Sequence, residues 1–217
     1  MKQLLYLFTI IIFFSCEEKP KKTQKIVVKT IRDSKYKNLL SKFKNISIDT
    51  LEVYSSEDYG KYRGIKMDSL DAILFPKEIA EAYFLEHDLY ACYKFEINPT
   101  KIGLLARTPS MYVPSSIKLF IYNKIEDNIS EYIELAESWG DAGDSTEKKS
   151  WIIKTKENKI NALIKETESH DHSVEDENDT IVESWDKHYL IDLSTPKSDT
   201  LSKDSELLTK KFKLLLK

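Results

Sequence analysis

The chain reads as an α+β protein that is mainly β. The expected architecture is an antiparallel meander forming a sandwich or partial barrel, with one or two helices before it and a C-terminal helix or a final edge strand after it. Three observations lead there. From Leu89 to Leu193 apolar and polar residues alternate, and Asn98-Pro99-Thr100, Glu126-Asp127-Asn128 and Glu157-Asn158-Lys159 punctuate the alternation; Asn, Asp and Pro favour turn backbone angles, so this pattern predicts strands joined by short connections. Helical spacing precedes the region over residues 68–84 and follows it over 202–217. The 202 residues from Cys16 onward suffice for one hydrophobic core without a second domain.

The first sixteen residues read as an export signal. Lys2 supplies a positive start, Leu4–Phe14 an apolar run of eleven residues, and Ser15 the small residue before Cys16. That order matches a bacterial lipoprotein signal, cleaved ahead of a cysteine that is acylated with a fatty acid such as palmitate. An apolar run this short cannot span a bilayer, which takes about 20 residues, and a core strand would not lead straight into Glu17-Glu18-Lys19-Pro20-Lys21-Lys22. The expected organisation is a signal peptide at 1–15, lipidated Cys16 with a basic tether over 16–44, and a single β-rich domain at 45–217.

Residues 19–44 carry ten basic side chains against Asp33, about +9. Such a run serves as a solvated linker or touches anionic lipid or polysaccharide beside the anchor, and Tyr36–Phe43 can form a short helix at its end. Next come strand-like Ile46–Ile48 and Leu51–Tyr54. Asp68 or Ser69 caps a helix carrying Leu70, Ile73 and Leu74, and Pro76 opens a second carrying Ile79, Ala80, Tyr83 and Phe84. Strands are expected near 89–97, 102–107, 117–122, 129–137, 150–154, 160–166, 180–185 and 189–193. Over Ser202–Lys217, Leu208, Phe212 and Leu215 form one helical stripe.

Without Lys2 the balance is 32 basic against 36 acidic residues, about −4, which argues against nucleic acid as a partner. With Cys16 lipidated, Cys92 is the remaining thiol and no intramolecular disulfide is expected. Alternation over Leu89–Ile97 sets Leu89, Ala91, Tyr93, Phe95 and Ile97 on one face and Cys92 on the other, as a small half-buried strand residue rather than a nucleophile.

The main local anomaly is Glu166–Asp186, with nine acidic residues and no Lys or Arg, and His170-Asp171-His172 near its start. His170, His172, Asp171, Glu175 and Asp176 are candidate metal ligands, since imidazole suits zinc and carboxylates suit calcium. The competing reading of Ser173–Thr180 is a solvated hairpin loop. Trp139-Gly-Asp-Ala-Gly-Asp144, with Glu147 beyond, lacks the spacing of a calcium-binding EF-hand and reads as a tight turn or bulge. Trp139, Trp151 and Trp185 are candidate ligand-stacking faces, or else half-buried core. The carboxylates of Asp68/Asp71 and Glu86-His87-Asp88 designate no acid and base. The chain has no Gly-x-Ser-x-Gly, phosphate loop or His-Glu-x-x-His, and no catalytic residue is assigned.

The export signal with Cys16-Glu17-Glu18, and the blocks Lys101–Pro109, Ser116–Tyr122 and Glu134–Asp144, resemble small β-rich lipoproteins of Bacteroidota. The likeness spans roughly residues 89–155 and implies lipid anchoring in the cell envelope, at the outer membrane and with the acidic start pointing to its outward face. No activity comes with it. The expectation is a non-enzymatic, lipid-anchored binding or structural module, held to the membrane through Cys16, with an envelope protein or glycan as partner and no cofactor unless calcium or zinc binds the 166–186 tract. The alternatives are a metal-assisted hydrolase using His170 and His172, and an immunity or inhibitor lipoprotein whose acidic face covers a basic partner.

Overall fold

A computed structural model describes residues 34–55, 59–109, 116–195 and 197–216. The export signal, Cys16 and the tether up to Asp33 lie outside them. In chain order the elements are α1 (Lys37–Lys42), β1 (Lys44–Asn45), β2 (Thr50–Val53), β3 (Ile65–Lys66), α2 (Ser69–Ala72), α3 (Lys77–Glu86), β4 (Tyr90–Asn98), β5 (Lys101–Thr108), β6 (Ser116–Asn123), β7 (Asn128–Asp141), β8 (Asp144–Lys154), β9 (Ile160–Asp171), β10 (Val182–Asp192), β11 (Asp199–Ser202) and α4 (Ser205–Lys211).

The meander expected from the alternation is present: β4 to β11 pair in sequence order, each antiparallel to the next. β1 and β3 share the free edge of β4, and β1 is parallel to it. The meander becomes a sandwich because β7 changes partners along its length. Residues up to Ala136 pair with β6, while Glu137–Asp141 pair with β8. In the pairing with β6 the register jumps twice, leaving Ser130 and Leu135 as extra residues; bulges of this kind bend a strand and sharpen its twist.

Where β7 turns away, the Ser150–Ile153 edge of β8 is left open, and β2 fills it. The bulged Leu135 carbonyl accepts a hydrogen bond from the fully buried Ser150 hydroxyl, so the departure leaves no orphaned carbonyl in the core.

Three apolar clusters follow from this bend. Between the sheets lie Val53, Phe95, Ile97, Leu105, Leu119, Leu135, Ile152, Ala162 and Ile164. On the outer face of the first sheet, α1, α2 and α3 pack Leu39, Leu40, Ala72, Ile79 and Tyr83 against Leu104, Phe120 and Tyr122. On the outer face of the second, α4 sets Leu208 with Phe212 against Trp151, Leu163 and Leu190. The layers are therefore helices, sheet, sheet, helix. Asp68 caps α2 in a capping box with Asp71, and Asp204 caps α4 by accepting from the Leu207 amide at 2.9 Å.

The structure corrects several expectations. Tyr36, Leu39, Leu40 and Phe43 are buried and Lys44–Asn45 pair with β4, so residues 34–44 belong to the domain rather than to a tether. Segments 180–185 and 189–193 are one strand, β10, and β11 was not foreseen. A bulge in β4 between Ala91 and Tyr93 breaks the alternation: Leu89 and Ala91 face the helices, whereas Cys92 joins Phe95 and Ile97 inside the sandwich. Its thiol donates to the Tyr62 carbonyl at 3.3 Å, and burial pushes its pKa up to about 11, the state of an inert core thiol.

Ser150→Ala removes the donor while leaving the bulged carbonyl buried, so chemical denaturation should show a loss of about 1–3 kcal/mol. A loss under about 0.5 kcal/mol, the usual size of surface effects, would mean that the bend does not need this bond.

Candidate functional site

Beyond the sandwich, β7, β8, β9 and β10 outrun the layers that cover them and form a four-stranded arm with polar side chains on both faces. Residues 137–148 and 166–187 of the arm hold thirteen acidic residues against two lysines. The register sorts one face into rows of directly opposed residues, one from each strand. The first row is Glu137, Lys148, Glu166 and Lys187; the second is Trp139, Thr146, Glu168 and Trp185; the third is Asp141, Asp144, His170 and Glu183. Further along the same strands this face carries Ile152 and Ile164 and turns into the core.

At the root of the arm an ion-pair chain crosses the bend. Lys118 lies 3.1 Å and Lys148 3.3 Å from the Glu134 carboxylate, and Lys148 also reaches Glu166 at 3.3 Å. Partial burial works against the Glu134 carboxylate, but a hydrogen-bonding contact with Glu137 and the charges of Lys118 and Lys148 outweigh it and hold its pKa down at about 2.

In the second row Trp139 is 37% and Trp185 45% exposed. Lys187 pairs with the Glu168 carboxylate, and the Trp185 indole donates to it at 2.5 Å; these bonds lower the Glu168 pKa from its ordinary value. Two indoles thus stand on one face, separated by two strands and a carboxylate. Trp151 does not join them. It points to the opposite face and is buried beneath α4.

The tip holds the histidines. A two-residue turn, Ala142-Gly143, with φ of +49° and +89°, joins β7 to β8. Gly143 is required there, because a Cβ would stand 2.8 Å from the Asp171 carbonyl. On β9, His170 Nδ1 meets Asp144 Oδ1 at 2.8 Å. The chain then enters a single 3-10 turn, His172–Val174, capped by Asp171, whose carboxylate accepts from the Ser173 amide at 2.9 Å. That turn brings Glu175 Oε1 to 3.8 Å from His170 Nε2, while Glu183 Oε2 lies 3.9 Å from His172 Nε2. The two rings are perpendicular with centroids 4.6 Å apart. The hydrogen bond with Asp144 raises the pKa of His170 above the ordinary histidine value.

Of the sequence-derived metal candidates, His170, His172 and Glu175 converge, each offering a ligand atom within 4.8 Å of the others. Asp171 and Asp176 do not: the first caps the 3-10 turn and the second accepts from the Asn178 amide at 3.0 Å. Two neighbours were missed. Asp144 and Glu183 reach His170 and His172 through strand register, and the only trace in the sequence was the acidic turn at 141–147.

Among the described residues no helix is long and apolar enough to cross a membrane. Comparison with known proteins found no matching family model, no similar curated protein and no similar solved structure, so the chemistry of the arm must be read from its own geometry.

The Glu134 pKa gives a signed pH dependence. A folded value below the ordinary 4.5 contributes stability above pH 4.5, and that contribution is lost as pH falls toward 2. Glu134→Gln should lower the melting temperature at pH 7 and flatten the acid-induced fall between those limits; equal slopes in the two proteins would refute the network.

Proposed function

We propose that the chain is a lipid-anchored cell-envelope protein, held through Cys16, that binds a basic protein partner on the acidic, tryptophan-bearing face of the β-arm. The observation that carries the reading is the second row, Trp139-Thr146-Glu168-Trp185, set in register on a face that no layer of the described residues covers. Exposed Trp flanked by carboxylates offers apolar anchoring area together with charge complementarity for Lys and Arg, a combination that concentrates binding energy and steers encounter. A polar strand surface has no intrinsic need for two half-exposed indoles, since Trp is ordinarily most useful in a core.

Of the binding readings, the immunity or inhibitor kind suits this face best, because an acidic surface complements a basic protein rather than a neutral glycan. The hydrolase reading gains less support: among the described residues the cleft at the tip is lined by Asp144 and Asp171 but not by His170 or His172, and an enzyme needs its catalytic groups in the concave place that holds its substrate. Lipid anchoring, outer-membrane location and outward display rest on the N-terminal sequence alone.

The test is crosslinking capture in intact cells, with wild type compared with the Trp139→Ser/Trp185→Ser double variant. A basic partner should be recovered with wild type, weakened by about 2 kcal/mol or roughly thirtyfold in the double variant, and released as salt rises. Recovery unchanged by the double substitution, or a partner of acidic character, would overturn the reading. In parallel, Cys16→Ala should abolish palmitate labelling and free the protein from the membrane fraction; retained label would refute the anchor.

A further inference from the structure

We infer that the tip of the arm is a binding site for a divalent transition-metal ion of the zinc class, ligated by His170, His172 and Glu175 with Glu183 at the fourth corner, and with Asp144 as the residue that positions His170. The site is independent of the tryptophan row and of the partner reading above.

Geometry argues for it first. The His170–Glu175 and His172–Glu183 separations, 3.8 and 3.9 Å, are too long for hydrogen bonds, which close to about 2.7–3.2 Å. They are near the edge of a ligand tetrahedron, about 3.3 Å for bonds of 2.0–2.1 Å. The ligand atoms of His170, His172 and Glu175 already lie within 4.8 Å of one another, so closing them on one ion takes side-chain movements of about an ångström, and Glu183 joins from its place beside His172. Glu175 and His172 sit in the 3-10 turn and its exit, and Glu183 follows the loop, so their ends can adjust without disturbing the strands.

Tautomer is the second ground. Asp144 Oδ1 meets Nδ1 of His170 at 2.8 Å, so in the neutral ring the proton sits on Nδ1 and the Nε2 lone pair faces Glu175. Metal-bound histidines commonly carry this arrangement, a carboxylate on the far nitrogen that orients the ring and raises its basicity. Asp144 lies directly opposite His170 across β8 and β9, and Glu183 directly opposite it across β10, so the scaffold supplies three members of the site from one cross-strand row.

Ligand chemistry selects the ion. Two imidazole nitrogens with carboxylates suit Zn(II) or its neighbours Co(II), Ni(II) and Cu(II), whereas calcium takes six to eight oxygens and magnesium an octahedron of oxygen with several waters. With four positions supplied by protein, the ion acts as a staple that ties the 172–183 loop to the strand ends.

The experiment uses the full chain in detergent micelles, stripped with EDTA and titrated with zinc chloride by calorimetry and thermal melting. One equivalent should bind with a dissociation constant in the micromolar range or tighter, and the melting temperature should rise by several degrees at about 100 μM zinc through binding linkage. His170→Ala and His172→Ala should each weaken binding at least tenfold, and Asp144→Asn about tenfold with stoichiometry kept. Asp176→Asn and Glu177→Gln, in the same loop, should change nothing. Cobalt(II) should give the intense visible bands of a tetrahedral site in wild type, lost in His172→Ala; because the spectrum reports coordination, a merely destabilised fold would not imitate that loss. The proposal is overturned by any of three results: no heat and no melting shift with zinc, zinc binding that survives the double variant His170→Ala/His172→Ala, or calcium binding as tightly as zinc.

Discussion

The partner change within β7 is the constraint on which the rest of the molecule depends. A meander whose strands all ran in one plane would leave one broad twisted sheet, too wide to be covered by four short helices. By pairing with β6 through Ala136 and with β8 from Glu137, β7 folds the sheet over itself and buries the alternating residues of both halves in one core. The bend opens an edge, and the chain closes it twice: β2 pairs along β8, and the Ser150 hydroxyl satisfies the Leu135 carbonyl. Val53 of β2, fully buried, completes the core at the same place. The clusters under α1–α3 and α4 exist because folding over leaves each sheet one outer face to cover.

The same bend produces the arm. Once the sheets are folded over, the stretches of β7 to β10 that pair beyond it have no opposing layer among the described residues, and their stability comes from cross-strand contacts rather than burial. Those contacts are visible as rows: Ser145 with Ser169 at 2.7 Å, Thr167 with Asp186 at 2.7 Å, and Lys165 with Asp186 at 3.0 Å. Pairs of this kind hold strands in register but do not offset an excess of eleven negative charges, whose mutual repulsion opposes the folded state. Local features that work against stability tend to mark function, and this is the physical ground for reading the arm as the working surface.

Much of the fold was legible in the sequence because the period-2 spacing of Ile117, Leu119 and Ile121 and of Ile160, Ala162 and Ile164 records the face that fills the core, and the continuous apolar run of β5 marks a strand covered on both faces. Legibility failed where burial is absent. The arm portions of β7, β8 and β9 carry polar residues on both faces, so their alternation vanishes although their hydrogen bonding continues, and the strands read as short. It failed again at bulges: the extra residue at Cys92 shifted the face of every position before it. The short helix over Tyr36–Phe43 was legible, but its place in the domain was hidden by the lysines around it, whose charge dominated the composition while Leu39 and Leu40 supplied the packing. In the site, His170, His172 and Glu175 were readable because they are close in sequence. Asp144 and Glu183 were not, because their proximity is a product of register, which no local pattern encodes.

The distribution of charge along the arm separates its two proposed tasks. At the root, Lys148 sits between Glu134 and Glu166, and in the middle Lys187 pairs with Glu168, so both lysines of the arm are engaged before the tip is reached. From Asp171 to Glu183 there are six acidic residues and no Lys or Arg. The unbalanced charge is therefore concentrated where the histidines stand, and a divalent ion there would neutralise part of it from within. A basic partner would neutralise it from outside, but imidazole nitrogens beside single carboxylates suit a transition-metal ion better than guanidinium or ammonium groups, which pair best with carboxylate oxygens. The tip thus favours a metal over an organic cation, while the Trp139–Trp185 row, with apolar rings and the Glu168 carboxylate between them, favours the reverse. The two surfaces are compatible on one arm because a bound metal would reduce the repulsion that the partner-facing strands have to withstand.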